Sequence, residues 1–129
     1  MRLIEEFARF LAMIVGLKLE GKLDEAMKTI EGVYGELLDL DPKGLKSMDQ
    51  EELLKFLQGE KQFDYERLKM VAELLYQEGM IYAENGDPVT ARNVLEKSKM
   101  LIDFLMENDS TFSFDWYDKL HDIDNVLGV

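Results

Sequence analysis

The tripeptide Gly86-Asp87-Pro88 interrupts an otherwise continuous helical rhythm, and no other feature restricts the fold as tightly. A glycine able to take positive φ ends one helix. The aspartate that follows can cap the next, and a proline in the first turn gives up an amide that has no partner there anyway. Upstream, Leu68, Val71, Ala72, Leu75, Gly79, Tyr82 and Ala83 recur at helical spacing; downstream, so do Ala91, Leu95, Ser98, Leu101, Ile102 and Leu105. Residues 64–107 therefore predict an antiparallel helical hairpin. Helices joined by so short a turn must approach closely beside it, and small residues permit that approach. Gly79 and Ala91 are expected to face each other there, with Tyr82 and Leu95 filling the flanking space.

The same periodicity covers most of the chain. A first helix is predicted over 2–19, where Leu3, Phe7, Phe10, Ile14 and Leu17 form one stripe and Ile4, Ala8, Leu11, Val15 and Leu19 a second. At ~100° per residue the two stripes take up more than half the circumference, which predicts neighbours on two sides. Gly21 ends this helix, and a second follows to residue 40, completing a hairpin over 2–40. Gly32 and Gly35 inside it each cost about 1 kcal/mol relative to alanine, so either a neighbour comes close there or the helix is locally weak. Pro42 and Gly44 are expected to break regular structure. Ser47 or Asp49 then caps a short helix over 49–58, with Leu53, Leu54 and Leu57 inward. Tyr117, Leu120, Ile123 and Leu127 indicate a last helix over 114–127. The expectation is one all-α domain spanning 1–129, with six helices.

Composition narrows the function by exclusion. The net charge of −12 disfavours contact with a phosphate backbone or an anionic membrane surface, both of which call for clustered Lys and Arg. Half of that charge lies from Asp103 onward, where seven acids face the single base Lys119. With no cysteine there is no thiolate chemistry, disulfide or Cys-based zinc site, which fits a reducing, cytoplasmic setting. The apolar run Phe10 to Leu17 is too short to span a bilayer, and Glu5, Glu6 and Arg9 stand where a secretion signal would be uncharged.

The stretch "GMIYAENGDPVTARNVLEKSKMLI" resembles a tetratricopeptide repeat, with Gly79, Tyr82, Gly86, Ala91 and Ser98 at that family's small and aromatic positions. A weaker match, "LKLEGKLDEAMKTIEGVYGELLDLDP", places Gly21 and Ala26 five residues apart, as Gly86 and Ala91 are. The offset is 86 − 21 = 65 residues rather than about 34, so this is no simple tandem array. The opening also looks like that of a group of small bacterial proteins with repeat-like helices and no assigned activity. The resemblance implies tetratricopeptide-like hairpins in a right-handed array closed by a C-terminal capping helix.

It also implies where a ligand would lie, on the inner face made by the first helix of each pair. That face would present Glu73, Tyr76, Met80, Ala83 and Glu84 in the second hairpin, suited to a basic or amphipathic peptide. In the first it would present Ala8, Leu11, Val15, Lys18 and Leu19. Leu11, Val15 and Leu19 could be covered by the third helix or by another copy of the chain.

Other candidates read as ordinary structure. Asp118 and His121 make one carboxylate-x-x-His pair where a di-metal bundle needs two. "DLDPKG", from Asp39, opens like a calcium loop but has Lys43 and Gln50 where oxygen ligands belong. Phosphate-binding loops and nucleophile elbows are missing from the sequence. Phe112, Phe114, Trp116 and Tyr117 read as a cap on the last hairpin, or else as a partner anchor. The function expected is non-catalytic protein interaction without a cofactor, including self-association through the first helix. The alternatives are a purely structural homodimer and, more remotely, a carboxylate-rich metal enzyme.

Overall fold

The computed structural model describes residues 2–111, 113 and 115–129, where all regular structure is helical. Seven α-helices follow in order: α1 (Arg2–Leu19), α2 (Leu23–Leu38), α3 (Pro42–Ser47), α4 (Gln50–Lys55), α5 (Tyr65–Glu84), α6 (Pro88–Asn108) and α7 (Asp115–Leu127). A π-helical turn over Phe56–Glu60 prolongs α4. The chain divides into two compact units, Met1–Ser47 and Met48–Val129.

Each unit contains a helical hairpin, and the two hairpin turns are closed by the same hydrogen bonds. Gly21 and Gly86 take φ of 77° and 76°. At the first turn the Lys22 amide donates to the Leu17 carbonyl at 2.8 Å, and the Gly21 amide to Lys18 at 3.0 Å. At the second, Asp87 donates to Tyr82 at 2.9 Å and Gly86 to Ala83 at 3.2 Å. A left-handed glycine lets the chain fold back over the last helical carbonyls and satisfy them. Asp87 completes its turn by accepting from the Thr90 amide at 3.1 Å, with Pro88 in the first helical turn. Those contacts to Thr90 hold the Asp87 carboxyl below the usual carboxylate range.

In the second unit α5 and α6 pack along their lengths. Gly79 is the point of closest approach. A Cβ built there would meet Leu95 Cδ2 at 2.4 Å, Leu95 Cγ at 2.5 Å and Val94 Cγ2 at 3.0 Å. The atoms nearest that Cβ thus belong to Leu95 and Val94. Helices that reverse near residue 86 pair positions at similar distances from the turn, which sets 79 near 94 and 95. Ala91, also buried, lies nearer the turn. Further along, the Ser98 hydroxyl donates to the Ala72 carbonyl at 2.8 Å in the interior. At the open end Lys69 of α5 meets Asp109 Oδ2 at 3.0 Å, and Asp109 Oδ1 accepts from the Thr111 hydroxyl at 2.7 Å. The bonds from Thr111, and then the Lys69 ammonium, pull the Asp109 carboxyl below its ordinary range.

Three expectations need correction. Pro42 and Gly44 do not break the chain; they lie within α3, because Pro42 occupies the first turn and the Asp41 side chain accepts from the Lys43 amide at 3.2 Å. That raises the helix number to seven. α2 stops at Leu38, where Asp39 adopts a left-handed φ of 52° and its amide donates to the Gly35 carbonyl. The third correction concerns α1, which is not enclosed on two sides. It buries Phe7 and Ile14 fully, while Ile4 and Val15 are each 39% exposed and Leu19 is 85% exposed. The breadth of an apolar arc measures how much surface seeks cover; it does not say what supplies the cover. The more deeply buried helix is α5, in which even Glu73, Gln77 and Glu78 are buried.

The glycines now separate into two kinds. Nothing lies within 4 Å of a Cβ built at Gly32 or Gly35, so no neighbour approaches there. Gly35→Ala is expected to raise stability by up to about 1 kcal/mol through helix propensity. Gly79→Ala is expected to cost about 1–3 kcal/mol from overpacking against Leu95, despite the same gain in propensity. Urea midpoints decide this, and equal effects at both positions would refute the close approach. A second prediction concerns acid. A carboxyl whose pKa is depressed by folding contributes stability above its unfolded value of about 3.9 and loses it as pH falls through the folded value. Asp109→Asn should therefore be less stable than the parent at pH 7, with the gap narrowing by pH 3. A gap independent of pH would show that the charge of Asp109 contributes nothing.

Candidate functional site

Two helix faces hold the candidate residues, and they correspond under the 65-residue offset between the hairpins. Glu73, Tyr76, Met80 and Glu84 of α5 occupy the positions of Ala8, Leu11, Val15 and Leu19 of α1. The two faces differ in chemistry and in cover.

The α5 face lies under α7. Lys119 Nζ meets Glu73 Oε1 at 3.3 Å, and the second Glu73 oxygen accepts from Gln77 Nε2 at 3.0 Å. The Tyr76 hydroxyl donates to Asp122 Oδ2 at 2.7 Å. On the α6 side, Lys99 Nζ meets Asp124 Oδ1 at 2.6 Å, and Arg92 Nη2 donates to the Leu127 carbonyl at 2.9 Å. Numbers rise together along α5 and α7 (73 with 119, 76 with 122), and they run oppositely along α6 and α7 (99 with 124, 92 with 127). The last helix therefore lies parallel to α5 and antiparallel to α6, over both. Ala83 shares a recess of about 260 Å³ with Pro88, Arg92, Val126 and Leu127. Met80 is half-buried and Glu84 exposed.

Electrostatics in this contact follow from half-burial. Burial, and then the bond to Asp122, push the Tyr76 phenol well above the ordinary tyrosine value. The hydrogen bond to Asp124 raises the Lys99 ammonium. Lys119 also stands 5.7 Å from the Tyr76 ring centroid and 5.1 Å from that of Trp116, within cation–π range. The only fully buried residue of α7 is Ile123. Trp116 is half-buried and Tyr117 exposed; Phe112 and Phe114 lie outside the described residues.

The α1 face has no such cover. Ile4, Ala8, Val15 and Leu19 are exposed along it and Leu11 is half-buried. Lys18, at the corresponding edge, is half-buried. A separate recess of about 520 Å³ on another side of α1 is lined by Glu6, Arg9, Phe10, Met13, Glu36 and Leu37.

Sequence reasoning placed these residues on shared helix faces but missed the pairing of Glu73 with Lys119 and of Tyr76 with Asp122. One signal was available: Lys119 is the lone cation in an acidic terminal segment, and it lies one turn from Ile123 on the same side. Among the described residues no group of three or more His, Asp and Glu side chains converges as a metal site would require. Nor is any described helix long and apolar enough to cross a membrane. Comparison with protein-family models, curated proteins and solved structures finds no match to the chain. What stands is an all-α fold of several helices, and the tetratricopeptide likeness remains one of residue spacing.

Proposed function

We propose that this chain is a non-catalytic protein-interaction module whose two hairpins are tetratricopeptide-like, and that it associates with a second copy of itself through α1. The observation that carries this reading is the apolar stripe of Ile4, Val15 and Leu19, all exposed, with half-buried Leu11 among them. Contiguous apolar surface of this kind marks contact sites more often than free surface. The corresponding face of α5 supports it, because there a helix lies on the same positions. A helix is thus the shape that suits the α1 stripe. The small side chains of Ala8 and Ala12 would let a second α1 come close.

Size sets the strength. From Ile4 to Leu19 the stripe runs about 22 Å at ~1.5 Å per residue. A single helix face of that length falls well short of the ~800 Å² per partner of a standard stable interface. Association is therefore expected to depend on concentration, with dissociation in the micromolar range or weaker. Sedimentation or light scattering from low to high micromolar protein should show the mass rising toward twice that of the chain. Val15→Lys with Leu19→Lys should hold the chain monomeric without loss of helicity, since both side chains are exposed. A parent chain that stays monomeric across the whole range rules out self-association.

A further inference from the structure

The way α7 is held differs from the way α5 and α6 hold each other. The hairpin pair shares a closed apolar interior of Leu68, Val71, Leu75, Val94, Leu95 and Leu101, all essentially inaccessible. Their close approach at Gly79 involves no residue of α7. By contrast, α7 commits one side chain, Ile123, fully to the interior, leaves Trp116, Leu120 and Leu127 half-buried, and is joined further through polar groups. Those groups are Lys119 on Glu73, Asp122 on Tyr76, Asp124 on Lys99, and the Leu127 carbonyl on Arg92. The Lys99–Asp124 pair is about one-third exposed on both sides. A pair exposed to that degree is weak and screened by salt, whereas the more enclosed Lys119–Glu73 pair, 23% and 8% exposed, is screened less. An α-helical hairpin with its own core can persist while a polar-held helix opens and closes on it.

The groups on the hairpin also form a pattern. Reading along α5 and then α6, the face offers a carboxylate (Glu73), a phenol donor (Tyr76) and an ammonium (Lys99), and Ile123 of α7 is buried beside them. From this arrangement we infer that α7 is a displaceable strap, and that the α5–α6 face beneath it docks an amphipathic partner helix of the chemistry α7 itself displays. That helix carries a cation, a carboxylate three residues later, an apolar residue next and a second carboxylate after it, in the order of Lys119, Asp122, Ile123 and Asp124. The cation seats on Glu73, the carboxylates on Tyr76 and Lys99. The α5 face that resembles a ligand-binding surface in the sequence is then a surface whose resident ligand is the chain's own last helix. Nothing in this depends on α1.

The test uses the full-length chain and a fluorescently labelled peptide of residues 115–129. In hydrogen exchange, amides of α7 in the parent chain are expected to exchange at least tenfold faster than the central amides of α5 and α6. Lys119→Glu, which sets a carboxylate against Glu73, should speed exchange in α7 further and leave α5 and α6 unchanged. Asp124→Lys, which breaks a different contact, should do the same. Both variants should bind the labelled peptide at least tenfold more tightly than the parent, because the strap no longer competes. A peptide of the same composition in scrambled order should not bind. The inference is overturned if α7 amides in the parent are as protected as those of α5. It is equally overturned if neither variant captures the peptide, or if the scrambled peptide binds as well, since the face would then sense charge alone.

Discussion

The close approach of α5 and α6 at Gly79 is the constraint on which the second unit depends. With no Cβ at 79, Leu95 fills the space a side chain would occupy, and the two backbones come nearer than two leucine-bearing helices could. That nearness lets the Ser98 hydroxyl reach a backbone carbonyl of α5, where a longer axis-to-axis distance would leave a buried hydroxyl without an acceptor. It also explains how α5 can carry Glu73, Gln77 and Glu78 inside. Once the hairpin is fixed, Glu73 and Gln77 meet each other, and Glu73 meets Lys119, at set positions. A buried polar group costs little when its partner cannot drift away.

The first hairpin reverses through the same backbone bonds, yet the position corresponding to Gly79 is Ile14. Ile14 is fully buried, as is Ile30, which corresponds to Leu95. Two branched side chains thus stand where the other hairpin has a glycine and a leucine. The shared turn therefore fixes direction and leaves separation to the residues beside it. Gly32 and Gly35 play no part in this, because open space surrounds both.

Most of the helical layout was legible from residue spacing. Gly21, Gly86 and the Asp87-Pro88 pair act through local backbone geometry, which neighbours in sequence determine almost entirely. The errors arose where the outcome depends on contacts distant in sequence or on competing local options. Pro42 can stop a helix or begin one, and the Asp41 side chain beside it tips the balance. Pairing Gly79 with Ala91 rested on residue size, and the atoms nearest a Cβ at 79 belong to Leu95 and Val94. Tyr76 was placed on the correct face, but its hydroxyl bonds a carboxylate 46 residues away, which no periodicity can reveal. The outward stripe of α1 shows the same limit from the other side, since its pattern looked like that of a covered helix.

The two corresponding faces make a controlled comparison within one chain. Where α1 has Ala8, Leu11, Val15 and Leu19, α5 has Glu73, Tyr76, Met80 and Glu84. An apolar face gains by removing itself from water whatever helix arrives, so its affinity varies little with salt and its choice of partner is loose. A polar face gains only when each group meets its complement, because an unmatched carboxylate or hydroxyl under a docked helix costs more than a matched one returns. The first chemistry suits contact between like surfaces. The second suits a helix that must be recognised, and α7 satisfies Glu73, Tyr76 and Lys99 together while burying only Ile123. A surface so matched by a weakly enclosed helix discriminates strongly without binding irreversibly, which is the property an exchangeable contact requires.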